Sequence, residues 1–284
     1  MEDDQNVDGL TLTPGNFFDL KDFTHRGIFL ENEAVWTALD RLKDYLAAFF
    51  REPWPLSDTR GLIEKALVIY HGEVRNDLEV KTSGSDDAIR VSMKGEIVED
   101  AAVILPGAFL FNEKIIIGPG TIVEPGAFIK GPAVIGAHSE IRQGAYIRGD
   151  CLVGNRCVIG HTTEMKGSIL LDGAKAAHFA YVGDSILGRD VNLGAGTKLA
   201  NLKMIPGSIA VTVDTKRYDT GRRKLGAILG DHTETGCNSV TSPGTLIGPS
   251  SIVYAGISVP SGYYPGRTVI APSQGSLKIR RLKR

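Results

Sequence analysis

The chain has 284 residues, 42% of them hydrophobic, and a formal net charge of −1. That length suits one large or two small domains, and the balanced charge excludes a nucleic-acid binder held by bulk electrostatics. No apolar run approaches the ~18 residues that cross a membrane, and the acidic opening Met1-Glu2-Asp3-Asp4 lacks the basic start of a secretory signal. A cytoplasmic protein without membrane contact is expected.

Residues 1–95 do not repeat. Glu33 to Arg51 carries helical spacing through Trp36, Leu39, Leu42, Leu46 and Phe49, with Asn32 as the expected N-cap. Glu52-Pro53-Trp54-Pro55 stops it. Ala66 to Tyr70 and Ala88 to Met93 read as strands around a polar stretch from Thr82 to Asp87. The expectation is a small α+β cap leading into the next domain, with Trp36 and Trp54 as core or docking residues.

From there a period of six takes over. Ile117, Val123, Ile129, Ile135, Ile141, Ile147, Val153 and Ile159 recur at every sixth residue, each followed four places later by a small residue, from Thr121 through Ala127 and Cys151 to Thr163. Six is neither the period of a helix nor that of a strand, so each hexad is one short strand plus a corner. Three hexads close a triangular coil, with glycines such as Gly118, Gly136, Gly154 and Gly160 where the backbone bends. The fold class is mainly β: a parallel β-helix over residues 96–270, with 271–284 as a basic tail. The register begins at Val98 and Ile104, slips by one residue near Asn112, and returns as Leu187, Leu193 and Leu199, then as Leu229, Thr235, Thr241, Ile247, Val253 and Val259.

Two interruptions are expected to carry function. Met165 to Asp184 breaks the count, and Lys203 to Arg223 is a long excursion. Outward aliphatics such as Ile116, Ile169 and Leu170 would be exposed on an isolated prism, so association into a trimer is expected to cover them. Cys151 and Cys157 fall on small inward positions as buried thiols. Cys237 could approach a ligand, with packing as the plainer account. The run Leu277 to Arg284 reads as a short solvated terminus.

The first interruption reads Glu164-Met165-Lys166, then His178-Phe179-Ala180-Tyr181-Val182-Gly183-Asp184, then Asn192-Leu193-Gly194-Ala195-Gly196-Thr197. Together these resemble the acetyltransferase half of the bifunctional sugar-1-phosphate nucleotidyltransferase/acetyltransferases, the enzymes that make UDP-N-acetylglucosamine. Ala200 to Lys203, Thr220 to Ala227 and Gly230 to Gly244 resemble the archaeal-type branch. The resemblance implies a left-handed coil, a homotrimer with sites between subunits, and acetyl transfer from acetyl-CoA, as co-substrate, to the amine of a hexosamine 1-phosphate. It implies no metal for that step. A nucleotidyltransferase domain needs a Gly-rich loop and a doubly wound sheet, which residues 1–95 cannot supply.

By the same resemblance the catalytic group is His178, Glu164 and Ala195: His178 is the base, Glu164 helps hold the sugar or orient the site, and the Ala195 N–H is the oxyanion donor. Imidazole titrates near neutral pH, which suits a general base. Arg148, Lys166, Tyr181, Asn192 and Asn201 are the implied substrate contacts. Gly194, Ala195, Gly196, Cys237 and Ala255 are the implied cofactor contacts. The spacing of eighteen between Arg148 and Lys166 independently puts both on one face of neighbouring coils.

Leu202-Lys203-Met204-Ile205-Pro206 departs from both branches, so a loop that touches substrate has changed. Cys237 and Tyr254 are departures near the cofactor's path. A three-histidine zinc site would draw on His138, His161 and His178, but the paired-histidine motif that accompanies such sites is absent. The alternative to an enzyme is a non-catalytic sugar-nucleotide-binding or scaffold module partnering a separate nucleotidyltransferase.

Overall fold

The computed structural model describes residues 12–82, 89–273 and 276–281. Short strands follow one another around three flat faces and pair in parallel with the strand one coil away. The register matches the hexads: Ile129 lies beside Ile147, Ile135 beside Val153, and Ile141 beside Ile159. This is a three-sided parallel β-helix. Its interior is a continuous aliphatic column in which Ile117, Val123, Ile129, Ile141, Ile147, Leu187 and Leu229 are buried.

The first face runs from Ile115–Ile117 to Gly262–Tyr264, the second from Ala102–Ile104 to Thr268–Ser273, and the third from Phe109–Leu110 to Ser258–Val259. Corners turn through left-handed backbone at residues such as His138, Thr162, Asp184, Asp190 and Asn238. The hexad glycines have a different duty from the expected one. A Cβ on Gly160 would lie 1.7 Å from the Ala177 carbonyl oxygen of the next coil, so glycine there permits close approach rather than an unusual φ.

The slip near Asn112 is real, and its side chain fills the gap. Asn112 Oδ1 accepts from the Gly131 N–H at 2.9 Å, and its Nδ2 donates to the Gly131 carbonyl at 3.3 Å. Val98, in contrast, does not start the coil. Its N–H donates to Val91, and Glu79–Thr82, Ile89–Met93 and Glu96–Ile97 form a separate antiparallel sheet. The expected linker at Thr82 to Asp87 lies largely outside the described residues.

The first interruption is no excursion. Cys151 pairs with Ser168 and Val153 with Leu170, while Met165 pairs with Val182, so the coil continues across a corner tightened by one residue at Gly167. The second is an excursion, and it folds as an antiparallel hairpin of Ala210–Val213 and Lys216–Asp219.

The N-terminal residues differ most from expectation. They do not form one cap at the end of the coil. The helix α1, Thr37–Ala48, lies along the first face, and Phe17, Phe18, Phe29, Trp36, Leu39, Leu42 and Leu46 form one apolar layer with Val134, Leu152, Ile169, Ile186, Ile228 and Leu246. Ile209 and Val211, from the second interruption, and Leu225 just after it extend that layer. The outward aliphatics expected to need a trimer are therefore covered by their own chain, and Leu170 faces the interior column. Asn32 does not cap α1; Trp36 occupies the N-cap position and no side chain bonds there.

Asp231 ties this layer to the coil. Its carboxylate accepts the backbone N–H groups of Asp19 and Arg189, each at 2.7 Å, and its own N–H donates to Phe17. Gly61–Leu62 and Leu67–Tyr70 close the coil's end by antiparallel pairing with its first strands, and Leu56 and Ile63 join its interior column. At the opposite end Ser276–Arg281 pairs antiparallel with Thr268–Ser273, so the basic run is partly a strand and not a free terminus.

Candidate active site

The implied site residues fall on the third face and its two margins. Along the face itself, Tyr146, Glu164, Tyr181 and Lys198 occupy successive rungs with paired Cα positions. Adjacent rungs lie ~4.8 Å apart, so Glu164 and Tyr181 are neighbours on one surface.

One margin carries the cations. Arg148 Nη1 donates to Glu164 Oε1 at 2.5 Å, and that hydrogen bond raises the guanidinium above its ordinary pKa. Lys166 Nζ donates to Asp184 Oδ2 at 2.6 Å, and Asn201 Nδ2 donates to the same oxygen. Both cations thus have a carboxylate of their own, which the spacing argument did not foresee.

The other margin is the corner between the second and third faces. His178 ends the strand Lys175–His178 in register with His161 of the preceding coil, and its carbonyl accepts the Gly196 N–H at 2.9 Å. Its ring is exposed, and among the described residues no carboxylate or carbonyl holds it. One coil further on, Gly194 passes close to Thr235 and Cys237: a Cβ there would lie 2.5 Å from the Thr235 carbonyl oxygen. Gly236 likewise passes close to Ala255. Gly194, Ala195, Gly196, Cys237 and Ala255 therefore stack along this corner above His178, and Cys237 is exposed.

Asn192 is not brought to the others. It faces outward on the second face, between Lys175 and Glu234, around the corner from Tyr181. Nor do the histidines converge. His138 pairs with Asp100 at 3.2 Å at a different corner, and among the described residues no group of three or more His, Cys, Asp or Glu side chains could hold a metal. Cys151 and Cys157 are buried as expected, and burial pushes each thiol up to about 12.

Sequence reasoning missed two features. Asp184 was read only as part of a motif. The rungs below Glu164 carry an aromatic ladder: the Phe109 and Phe128 rings stack at 5.0 Å, Phe128 meets Tyr146 edge-on at 5.3 Å, and Lys130 Nζ lies 5.1 Å over Phe111. Its signal was present, since Phe128 and Tyr146 are eighteen residues apart like Arg148 and Lys166. His178 and Cys237 on the second-face margin are exposed, and two hollows of about 330 and 300 Å³ lie elsewhere, beside Arg60 and beside His138.

The family described as the GMPPB C-terminal domain matches residues 129–235. A bifunctional sugar-1-phosphate nucleotidylyltransferase/acetyltransferase of Sulfurisphaera tokodaii is 46% identical over 101 residues, 36% of this chain and 25% of that protein. The bifunctional protein GlmU of Methanococcus maripaludis is 42% identical over 96 residues, 34% of this chain and 23% of its own length. The chain thus spans about a quarter of the length of these curated relatives. Among solved structures, the polysialic acid O-acetyltransferase OatWY aligns at 17% identity over 59% of this chain and 83% of its own, with a TM-score of 0.27. Over the matched stretch, the chain is a relative of the bifunctional sugar-1-phosphate nucleotidyltransferase/acetyltransferases of archaeal type, the group its motifs resemble.

Proposed function

We propose that this chain transfers an acetyl group from acetyl-CoA to the amine of a hexosamine 1-phosphate. The observation that carries the reading is the juxtaposition on one face: Glu164 and Tyr181 on adjacent rungs, Arg148 and Lys166 on one margin, His178 and Ala195 on the other. The Sulfurisphaera tokodaii relative, a bifunctional sugar-1-phosphate nucleotidylyltransferase/acetyltransferase, supports it.

The chemistry follows from the placement. The sugar lies across the third face with its phosphate toward Arg148 and Lys166 and its amine toward His178. The neutral amine attacks the thioester carbonyl, His178 takes the proton released from nitrogen, and CoA leaves as the thiolate and is protonated. Among the described residues the Ala195 N–H has no partner, so it is free to donate to the developing oxyanion. Holding amine and thioester on one rigid corner removes most of the entropic barrier to their meeting.

The site needs a second copy of the chain. Among the described residues no carboxylate or carbonyl orients the exposed His178 ring, and Asn192 points away on the second face. The first face is already sealed, so association uses the other two. The ladder of Phe109, Phe128 and Tyr146, contiguous with Glu164, is the apolar surface available to a neighbour. Closing such head-to-tail contacts around a three-sided rod gives a homotrimer.

The test is release of free CoA thiol from acetyl-CoA in the presence of glucosamine or galactosamine 1-phosphate. Turnover with either supports the reading. No turnover with any amino-sugar phosphate would leave a sugar-binding scaffold for a separate nucleotidyltransferase as the surviving account.

A further inference from the structure

The resemblance gives Asp184 no role, yet three of the candidate contacts meet around it. It sits in the corner after Tyr181–Gly183, in left-handed backbone at φ 47 and only 9% exposed. Its backbone is fixed on both sides, with the N–H donating to the Lys166 carbonyl at 2.9 Å and the carbonyl accepting from Gly226 at 2.8 Å. One carboxylate oxygen, Oδ2, then receives Lys166 from the preceding coil and Asn201 from the following one.

The neighbouring glycines make room for this. A Cβ on Gly183 would lie 2.7 Å from both the Asn201 amide nitrogen and the Tyr181 hydroxyl, and one on Gly167 would lie 3.1 Å from Asp184 Oδ1. Side chains at these positions would push the clamp apart.

Two chemical consequences follow. The Lys166 side chain is 21% exposed and bound to a buried carboxylate, whereas Arg148 is 42% exposed and bound to a partly exposed one. Arg148 can turn toward an arriving dianion, but Lys166 cannot leave without stranding a buried charge. Lys166 must therefore meet a phosphate from a fixed point, with the donors that Asp184 leaves free. The second consequence concerns Asn201. With its Nδ2 donating to Asp184, the Asn201 amide has its polarity fixed, and its Oδ1 is left as the acceptor.

We propose that Asp184 is the positioning residue of the acceptor site: it fixes the Lys166 ammonium for the phosphate and the Asn201 amide beside it, so that the cation margin of the site is set by one carboxylate. This rests on the acetyl-transfer reading.

The experiment compares Asp184→Asn, Lys166→Met and the double variant by steady-state kinetics with glucosamine 1-phosphate and acetyl-CoA, alongside thermal unfolding. Asp184→Asn keeps the shape and removes the charge. Its kcat/KM for the sugar phosphate falls roughly ten- to a hundredfold while KM for acetyl-CoA stays unchanged. The double variant loses little more than Asp184→Asn alone, because Lys166 acts through the same clamp. Wild-type kinetics in Asp184→Asn, an equal rise in both KM values, or multiplicative losses in the double variant would overturn the proposal. If Asp184→Asn does not fold, the cycle Lys166→Met with Asn201→Leu replaces it; losses smaller than the product support the shared clamp and fully multiplicative losses sink it. An inactive wild type would instead remove the acetyl-transfer reading itself.

Discussion

The first and third faces of the coil are built from the same hexads and share one interior column, yet their outer rows have opposite fates. On the first, Val134, Leu152, Ile169, Ile186, Ile228 and Leu246 form an aliphatic strip that α1 and the phenylalanines before it seal. On the third, aromatic rungs give way to Glu164, Tyr181 and Lys198, which stay half-buried or exposed. The difference teaches that the inward position of a hexad sets the fold, while the outward position beside it decides whether a face is a core or a working surface.

The largest expected effect tests the working surface. His178→Ala should lower turnover by roughly 10²–10⁴ with less change in substrate affinity, since it removes a proton acceptor used in the transition state. Arg148→Ala should raise KM for the sugar phosphate instead, because its contact exists before and during reaction. Neither should shift the thermal midpoint appreciably, as both side chains are exposed. Equal KM defects with unaltered turnover would reduce His178 to a sugar contact.

Next comes the sealed face. Ile169→Asp puts a charge between α1 and the coil, and the loss of stability should reach about 3–5 kcal/mol in denaturant titration. A loss under about 1 kcal/mol would mean that the N-terminal layer is not seated on that face in solution.

Phe128→Glu should act on assembly without unfolding the chain. It places a carboxylate in the aromatic ladder, so sedimentation at micromolar concentration should show smaller species, with acetyl transfer lost together with the trimer. A trimer that survives would place the subunit contact elsewhere.

The smallest effect is a pH dependence confined to the sealed face. His25 is buried against Phe23, Tyr45 and Phe49, and burial holds its pKa below the ordinary 6.5, with Asp172 opposing more weakly. The unfolded chain therefore takes up this proton first. The His25 contribution is fully present above pH 6.5 and is lost as pH falls from there toward the folded value. Asp231 has the opposite sign: burial raises its carboxyl above the ordinary 3.8, so acid through that lower window favours the folded state. Trp36 fluorescence should report loosening of the layer as pH drops below 6.5, and His25→Phe should abolish that phase. An unchanged phase in His25→Phe would assign it to another group.

Much of this was legible in the sequence because the coil is nearly one-dimensional. Each rung contacts the next at a fixed offset, so Ile129 beside Ile147 and Arg148 one rung before Lys166 follow from counting by eighteen. The one-residue slip at Asn112 could be counted too. The tightening at Gly167 looked like an excursion, because a missing residue breaks the count as thoroughly as an inserted one.

The sequence by itself determined the interior: which aliphatics point inward, where small residues such as Ala127 and Cys157 must stand, and that the acetyltransferase-like motifs share one stretch of coil. Only the tertiary structure decided what covers the outside. No periodicity relates α1 to Ile169, since their contact joins a helix to a sheet face across more than a hundred residues. Nor could counting show that Lys166 and Asn201 share one oxygen of Asp184, because that depends on how side chains lean between coils. Strand pairing is set by backbone hydrogen bonds that repeat with the chain, whereas covering a face and pinning a cation depend on shape and charge meeting in space.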